Sequence, residues 1–220
     1  MQELFTVTGM ILKAEPFGEY DRRVVMLTKE RGKIAAFAKG ARKQGSRLLA
    51  ATNPFCFGEF KLFAGRTSYT ISEAVISNYF EGLRGDYEGA CYGMYFNELA
   101  DYYTRENNDE REVLKLLYQS LRGLMHTGLD NRLVRYIFEI KALVIAGEYP
   151  GIPEGSAYQE STLYTLEFIR ISPVEKLYTF TVSDAVLSQL KEIADSFRHR
   201  FIDRKMKSLQ ILNEITEIPC

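Results

Sequence analysis

The sequence predicts an α+β chain in parts: an N-terminal five-stranded β-barrel, then a mainly helical domain carrying one small β-hairpin. Three observations lead there. Residues 1–80 hold short alternating apolar runs separated by glycines. From Tyr87 onward the apolar residues recur at helical spacing. Of the 220 residues 46% are hydrophobic, enough to build packed cores and too many for a disordered chain.

The barrel strands follow in order. Phe5, Val7 and Ile11 alternate with Thr6, Thr8 and Met10, which reads as a first strand. Val24 to Leu27 is a compact apolar run with β-branched content, a second. Lys33–Lys39, Cys56–Phe63 and Tyr69–Ser72 alternate and supply three more. Gly18, Gly32, Gly40, Gly58 and Gly65 punctuate the runs with turn signals. Five short strands at this spacing within residues 1–80 fit an OB-fold barrel.

After Tyr79 the period changes from 2 to that of a helix. Tyr87, Cys91, Met94, Tyr95, Leu99 and Tyr102 form one apolar set; Val113, Leu116, Leu117, Leu121 and Leu124 a second; Leu129, Leu133, Tyr136, Ile137, Ile140 and Val144 a third. Breaks fall at Asn107-Asn108-Asp109 and Thr127-Gly128, and Gly147 with Pro150-Gly151 ends the third helix. Residues 161–171 and 176–182 read as two short strands joined near Pro173, a hairpin within 161–182. Ser183 then caps a helix through Val186, Leu190, Ile193 and Phe197, and a last helix covers Lys207 to Ile215. The expected division is a barrel domain, 1–80, and a helical domain, 81–220.

Charge is divided unevenly. Residues 1–80 carry 12 Lys+Arg against 7 Asp+Glu, a balance of +5, and residues 81–220 carry −6. Such asymmetry points to nucleic-acid contact at the basic end. Within it, Arg31 to Gly58 contains Arg31, Lys33, Lys39, Arg42, Lys43 and Arg47 and no acidic residue. Lys33, Phe37 and Lys39 share parity, so a strand puts a ring between two cations on one face, as single-stranded nucleic acid requires for phosphates and bases. Ile34, Ala36 and Ala38 are then the core face; with the faces exchanged, Phe37 is core and the lysines mark a sheet edge. The segment from Gly40 to Arg47 reads either as a phosphate clamp or as a plain surface loop. Arg22 and Arg23 open the second strand, and only one of them shares a given face. A second basic cluster, Arg198, His199, Arg200, Arg204, Lys205 and Lys207, either extends a DNA path or complements a helix C-terminus. The tyrosines Tyr92, Tyr95, Tyr102, Tyr103 and Tyr118 line either a helical core or a groove for a partner peptide.

Catalytic constellations are missing, so no enzymatic activity, catalytic residue or cofactor is expected. There is no Gly-rich phosphate loop and no Gly-x-Ser-x-Gly. His126 and His199 stand apart, and Glu110 and Glu112 read as a solvated helix start. Cys56, Cys91 and Cys220 are scattered, as reduced cytoplasmic thiols are, and no metal site is expected from them. No signal segment or membrane-spanning run is recognisable; Leu133 to Gly147 is broken by Arg135, Glu139 and Lys141.

The ordered set Gly9-Met10-Ile11-Leu12, Phe17-Gly18-Glu19-Tyr20-Asp21, Val25-Met26-Leu27-Thr28, Gly32-Lys33, Ala38-Lys39-Gly40-Ala41-Arg42-Lys43, Ser46, Pro54-Phe55 and Ser72-Glu73-Ala74 resembles the RecO family of bacterial recombination mediators. Tyr87 to Gly147 matches more loosely. The resemblance implies an N-terminal OB-fold, a helical middle and a role in DNA repair and homologous recombination of the RecF type. Binding and annealing of single strands, contact with duplex DNA, joint loading of RecA with RecR and contact with the tail of single-strand-binding protein are implied with it. Lys39, Arg42 and Lys43 fall in its DNA-side motif, and the residue reading adds Lys33, Phe37 and Arg47. Relatives commonly hold zinc on four cysteines after the third helix, whereas residues 148–182 here contain none. A non-catalytic adaptor that holds a partner peptide in its helical domain is the competing expectation.

Overall fold

Strand β1 (Leu4–Phe17) is long enough to belong to two neighbours, and that closes the sheet. Its first half pairs antiparallel with β4 (Phe57–Ala64), and its second half with β2 (Asp21–Thr28). Strand β3 (Gly32–Ala38) pairs with β2, and β5 (Tyr69–Asn78) pairs antiparallel with β4 and parallel with β3 through Ala36–Tyr69 and Phe37–Thr70. The order β1-β2-β3-β5-β4 closes on itself as an OB-type barrel, as the sequence predicts. The computed structural model describes residues 4–65, 68–152 and 157–216; Cys220 and the three residues that open the chain lie outside them.

A register shift between Ile11 and Lys13 bends β1 and reverses which side chains face inward. Val7 and Ile11 point into the barrel before it, and Ala14 packs on the core after it. Val24, Met26, Ile34, Ala36, Phe60, Leu62 and Ile71 complete the core. Gly9 faces Gly58 where strands run closest: a Cβ on Gly9 would lie 2.4 Å from the Leu27 carbonyl oxygen, and one on Gly58 2.2 Å from that of Val75.

The chain divides into two compact units, Met1–Gly85 with Asn97–Leu114, and Asp86–Phe96 with Lys115–Cys220. The first thus holds the barrel, the short helices α1 (Leu48–Ala51) and α2 (Glu81–Arg84), and the second part of α3 (Tyr87–Tyr103). Residues 97–114 join the barrel where the sequence suggests a cut after residue 80. Specific bonds hold them there: Asn97 Nδ2 donates to the Leu12 carbonyl at 3.0 Å, Lys33 N to that of Arg105 at 3.0 Å, and Asn107 N to that of Arg31 at 2.9 Å. Glu110, expected in solvent, is buried and accepts a hydrogen bond from Arg105 N.

The second unit contains most of α4 (Arg111–Leu124), then α5 (Asn131–Ala146), α6 (Glu160–Ile171), α7 (Asp184–Phe201) and α8 (Lys207–Thr216). Helix α5 is its axis, buried from Leu133 through Leu143. The three charges that interrupt that apolar run are buried and paired. Arg135 Nε donates to Glu139 Oε1 at 2.8 Å, as does the Tyr95 hydroxyl at 2.7 Å. Lys141 Nζ donates to the carbonyls of Ile169, Arg170 and Ser172. Tyr92 and Tyr95 are core residues, which decides for the core reading at those two positions.

The hairpin expected within 161–182 is corrected. Residues 160–171 are helix α6, and 176–182 form no strand. Thr162, Thr165, Leu166 and Ile169 face inward at helical spacing. Two of those four are threonines, so the apolar residues alone hide the period. Pro173 follows Ser172, the C-cap, and a single 3-10 turn, Val174–Lys176, leads on. Among the described residues no helix is long and apolar enough to cross a membrane.

Candidate nucleic-acid interface

On β3 the inward residues are Ile34, Ala36 and Ala38, and Lys33 and Phe37 stand on the outer face. The register aligns Glu15, Arg23, Phe37 and Thr70 across β1, β2, β3 and β5. The two arginines that open β2 part here. Arg22 Nη1 donates to the Leu49 carbonyl, Thr52 Oγ1 and Asn53 Oδ1, locking α1 to the barrel. Arg23 lies outside, 3.6 Å from the Glu15 carboxylate. Strand β3 ends at Ala38, so Lys39 belongs to the turn beyond it and is exposed.

The segment from Lys39 to Arg47 is a chain of tight turns. Ala41 N reaches the Ala38 carbonyl, Lys43 N that of Gly40, and Ser46 N that of Lys43. Gly40 adopts φ 65°, a left-handed conformation suited to glycine. The segment is fastened to the β1–β2 turn by Gly40 N to Asp21 Oδ1 at 2.7 Å and Arg42 N to the Tyr20 carbonyl at 2.8 Å. Arg42 Nη1 lies 3.4 and 3.3 Å from the Gly18 and Glu19 carbonyls, and Lys43 Nζ sits 5.3 Å from the centre of the Tyr20 ring. A hydrogen bond to Glu19 raises the Tyr20 pKa.

Of the six residues singled out in the sequence, this arrangement brings together Phe37, Lys39, Arg42 and Lys43, with exposed Arg47 at the end of the turns as the N-cap of α1. Among the described residues none of Lys39, Arg42, Lys43 and Arg47 has a carboxylate within ion-pair reach. Lys33 is placed apart from them. Its ammonium is 2.9 Å from the Asp101 carboxylate and donates to the Asp101 carbonyl at 2.5 Å.

Phe17 and Tyr20 are the additions that the sequence reading missed, and of the arginine pair it weighed, Arg23 is the one on this face. Phe17 packs on Phe37 with ring centroids 4.8 Å apart, although β2 runs between their strands. The register shift in β1 conceals Phe17: counted by unbroken alternation from Val7, it would point into the core.

In the second basic cluster Arg200, Arg204, Lys205 and Lys207 are exposed, and the first two residues turn to their own helix. Arg198 turns inward, 2.8 Å from Asp195, and His199 Nδ1 meets the Asp195 carbonyl at 2.7 Å in the last turn of α7. His126 Nδ1 accepts from Gly128 N. Among the described residues no group of three His, Cys, Asp or Glu side chains is placed to hold a metal ion. Residues 148–182 contain neither Cys nor His.

Comparison with known families adds independent findings. The model described as Recombination protein O N terminal matches residues 1–80, and that described as Recombination protein O C terminal matches 84–153. The DNA repair protein RecO of Clostridium novyi is 28% identical, with 96% of this chain and 94% of that protein covered. Its counterpart in Acetivibrio thermocellus is 26% identical, with 97% and 98% covered. That of Alkaliphilus metalliredigens is 33% identical over 67% of this chain and 60% of its own length.

Proposed function

The chain belongs to the RecO family of DNA repair proteins, and on that premise we propose that its barrel, residues 1–80, holds DNA by the phosphate backbone without reading sequence. The observation that carries this is the run of turns after β3, where Lys39, Arg42, Lys43 and Arg47 lack carboxylate partners among the described residues. Cations left unpaired in the protein are available to replace the counterions of a polyanion. The strand 2–3 face and the β1–β2 loop of an OB barrel are also where such folds take oligonucleotides.

In this reading no bond is made or broken. Single strands and duplexes both offer phosphates to the turns, and annealing follows from holding two strands close while their mutual repulsion is lowered. Helping to load RecA with RecR, and contact with the tail of single-strand-binding protein, are the partner roles that fit a mediator in the cytoplasm.

A second reading, an adaptor that takes a partner peptide and touches DNA only incidentally, is favoured by one feature. A groove of about 780 Å³ in the second unit is lined by Tyr164, Phe168, Phe180, Val182 and Val186 and rimmed by Ser and Thr hydroxyls. One titration separates the two. Anisotropy of labelled oligo-dT across salt is expected to give a log–log slope of roughly −3 to −4, for engagement of ~4–6 phosphates of a single strand. Negligible binding at moderate salt would overturn the DNA reading in favour of the adaptor.

A further inference from the structure

Phe17 is 52% exposed, although its ring packs against Phe37 at an interplanar angle of 57°. A hydrophobic pair that served only to staple strands would gain most by turning its faces inward. This pair stands above β2 instead, where Arg23 emerges, beside half-exposed Tyr20 and the cationic turns from Lys39 to Arg47. We infer that Phe17, backed by Phe37, is a stacking platform for unpaired bases and makes this face prefer single-stranded over duplex DNA. The inference rests on the DNA reading above and deepens it.

The chemistry divides the work. Phosphates are met by the cations of the turns, which a single strand and a duplex satisfy alike. A flat aromatic face can be used only by a base whose own face is free, and in a duplex both faces are covered by neighbouring pairs. The tilted contact with Phe37 restrains the Phe17 ring, so less side-chain freedom is lost when a base stacks on its exposed part. Tyr20, with the Lys43 ammonium 5.3 Å from its ring centre, flanks the site with a second ring.

Phe17→Ala, Phe17→Leu and Phe17→Trp distinguish stacking from packing. Leucine keeps apolar bulk on the strand but has no flat face. The natural sequence contains no tryptophan, so Phe17→Trp introduces a single fluorescent reporter at the platform. Each variant is titrated with labelled oligo-dT and with a duplex of equal length, at several salt concentrations, after its thermal melt has been compared with the parent. Expected for Ala and Leu is a loss of ~5- to 150-fold in single-strand affinity, the equivalent of ~1–3 kcal/mol for one stacked base. Duplex affinity and the salt slope stay as in the parent, and Phe17→Trp keeps single-strand affinity with fluorescence quenched by oligo-dT and not by the duplex. Should the parent bind DNA while Phe17→Leu matches it on single strands, or lose equally on both DNAs, the platform is overturned and the phosphate reading stands. Absence of any DNA binding by the parent overturns the DNA reading itself.

Discussion

Lys33 and Lys39 share parity in the sequence, yet their surroundings assign them different work. The Lys33 ammonium is occupied by both oxygen types of Asp101, a carboxylate and a carbonyl, and its side chain is only 22% exposed. Releasing it to a phosphate would leave Asp101 without its cation. Lys39 and Arg47 have no such tie. Lys33→Ala is therefore expected to leave the affinity and salt slope for oligo-dT unchanged and to lower stability by about 1 kcal/mol, read by denaturant unfolding. Replacing Lys39 and Arg47 together should leave stability unchanged and flatten the slope by ~0.7 for each phosphate that is no longer neutralised. A slope reduced by Lys33→Ala would put that lysine back on the DNA. Arg42 stands between these cases, since its guanidinium also braces the β1–β2 turn. The residue types at this face were legible in the sequence because charge runs and strand parity are local properties. Which cation is already paired depends on Asp101, 68 positions away, and no local pattern carries that.

At the scale of the element, α6 and β1 show where pattern reading stops. The existence of the strands, and of the helices from Tyr87 to Ala146, follows from their apolar periods, whereas the register shift that turns Phe17 of β1 outward does not. In α6 the inward stripe is half threonine, and its Tyr, Phe and Ile content imitates a strand. Lys141 of α5, which interrupts an apolar helix, supports the end of α6 by donating to three carbonyls there. Those acceptors lie at the negative end of the helix dipole, where a cation is favoured. Lys141→Met keeps the aliphatic stem and removes the donors, leaving carbonyl groups at a buried helix end unsatisfied. The expected cost is ~1–3 kcal/mol in denaturant unfolding, with amide exchange accelerated in the last turn of α6 before the rest of the helix. Unchanged stability in that variant would mean that water takes over the three carbonyls and that the lysine is dispensable to α6.

Over the whole chain, composition distinguishes a basic front from an acidic back; the chain first passes between units near that change, at Gly85 and Asp86, but crosses twice more. Those two crossings fall inside α3, between Phe96 and Asn97, and inside α4, between Leu114 and Lys115, where neither helix is interrupted. What draws residues 97–114 to the barrel is a set of individual bonds: Asn97 to Leu12, Lys33 to Asp101, Tyr69 to Glu106, and backbone hydrogen bonds at Arg31 and Arg105. Each pairs residues far apart in the chain, so neither helical period nor charge balance foretells it. Cooperative opening should respect these bonds and ignore helix continuity. In native-state hydrogen exchange on the full chain, with denaturant raised below the unfolding midpoint, the amides of Lys33, Thr104 and Asn107 are expected to share one opening free energy with the barrel strands. The amides of α5 should follow a separate isotherm. If Thr104 and Asn107 open with α5 instead, the cooperative boundary lies near residue 80, as composition alone suggests, and the bonds to Leu12 and Asp101 are too weak to make the second part of α3 behave as barrel.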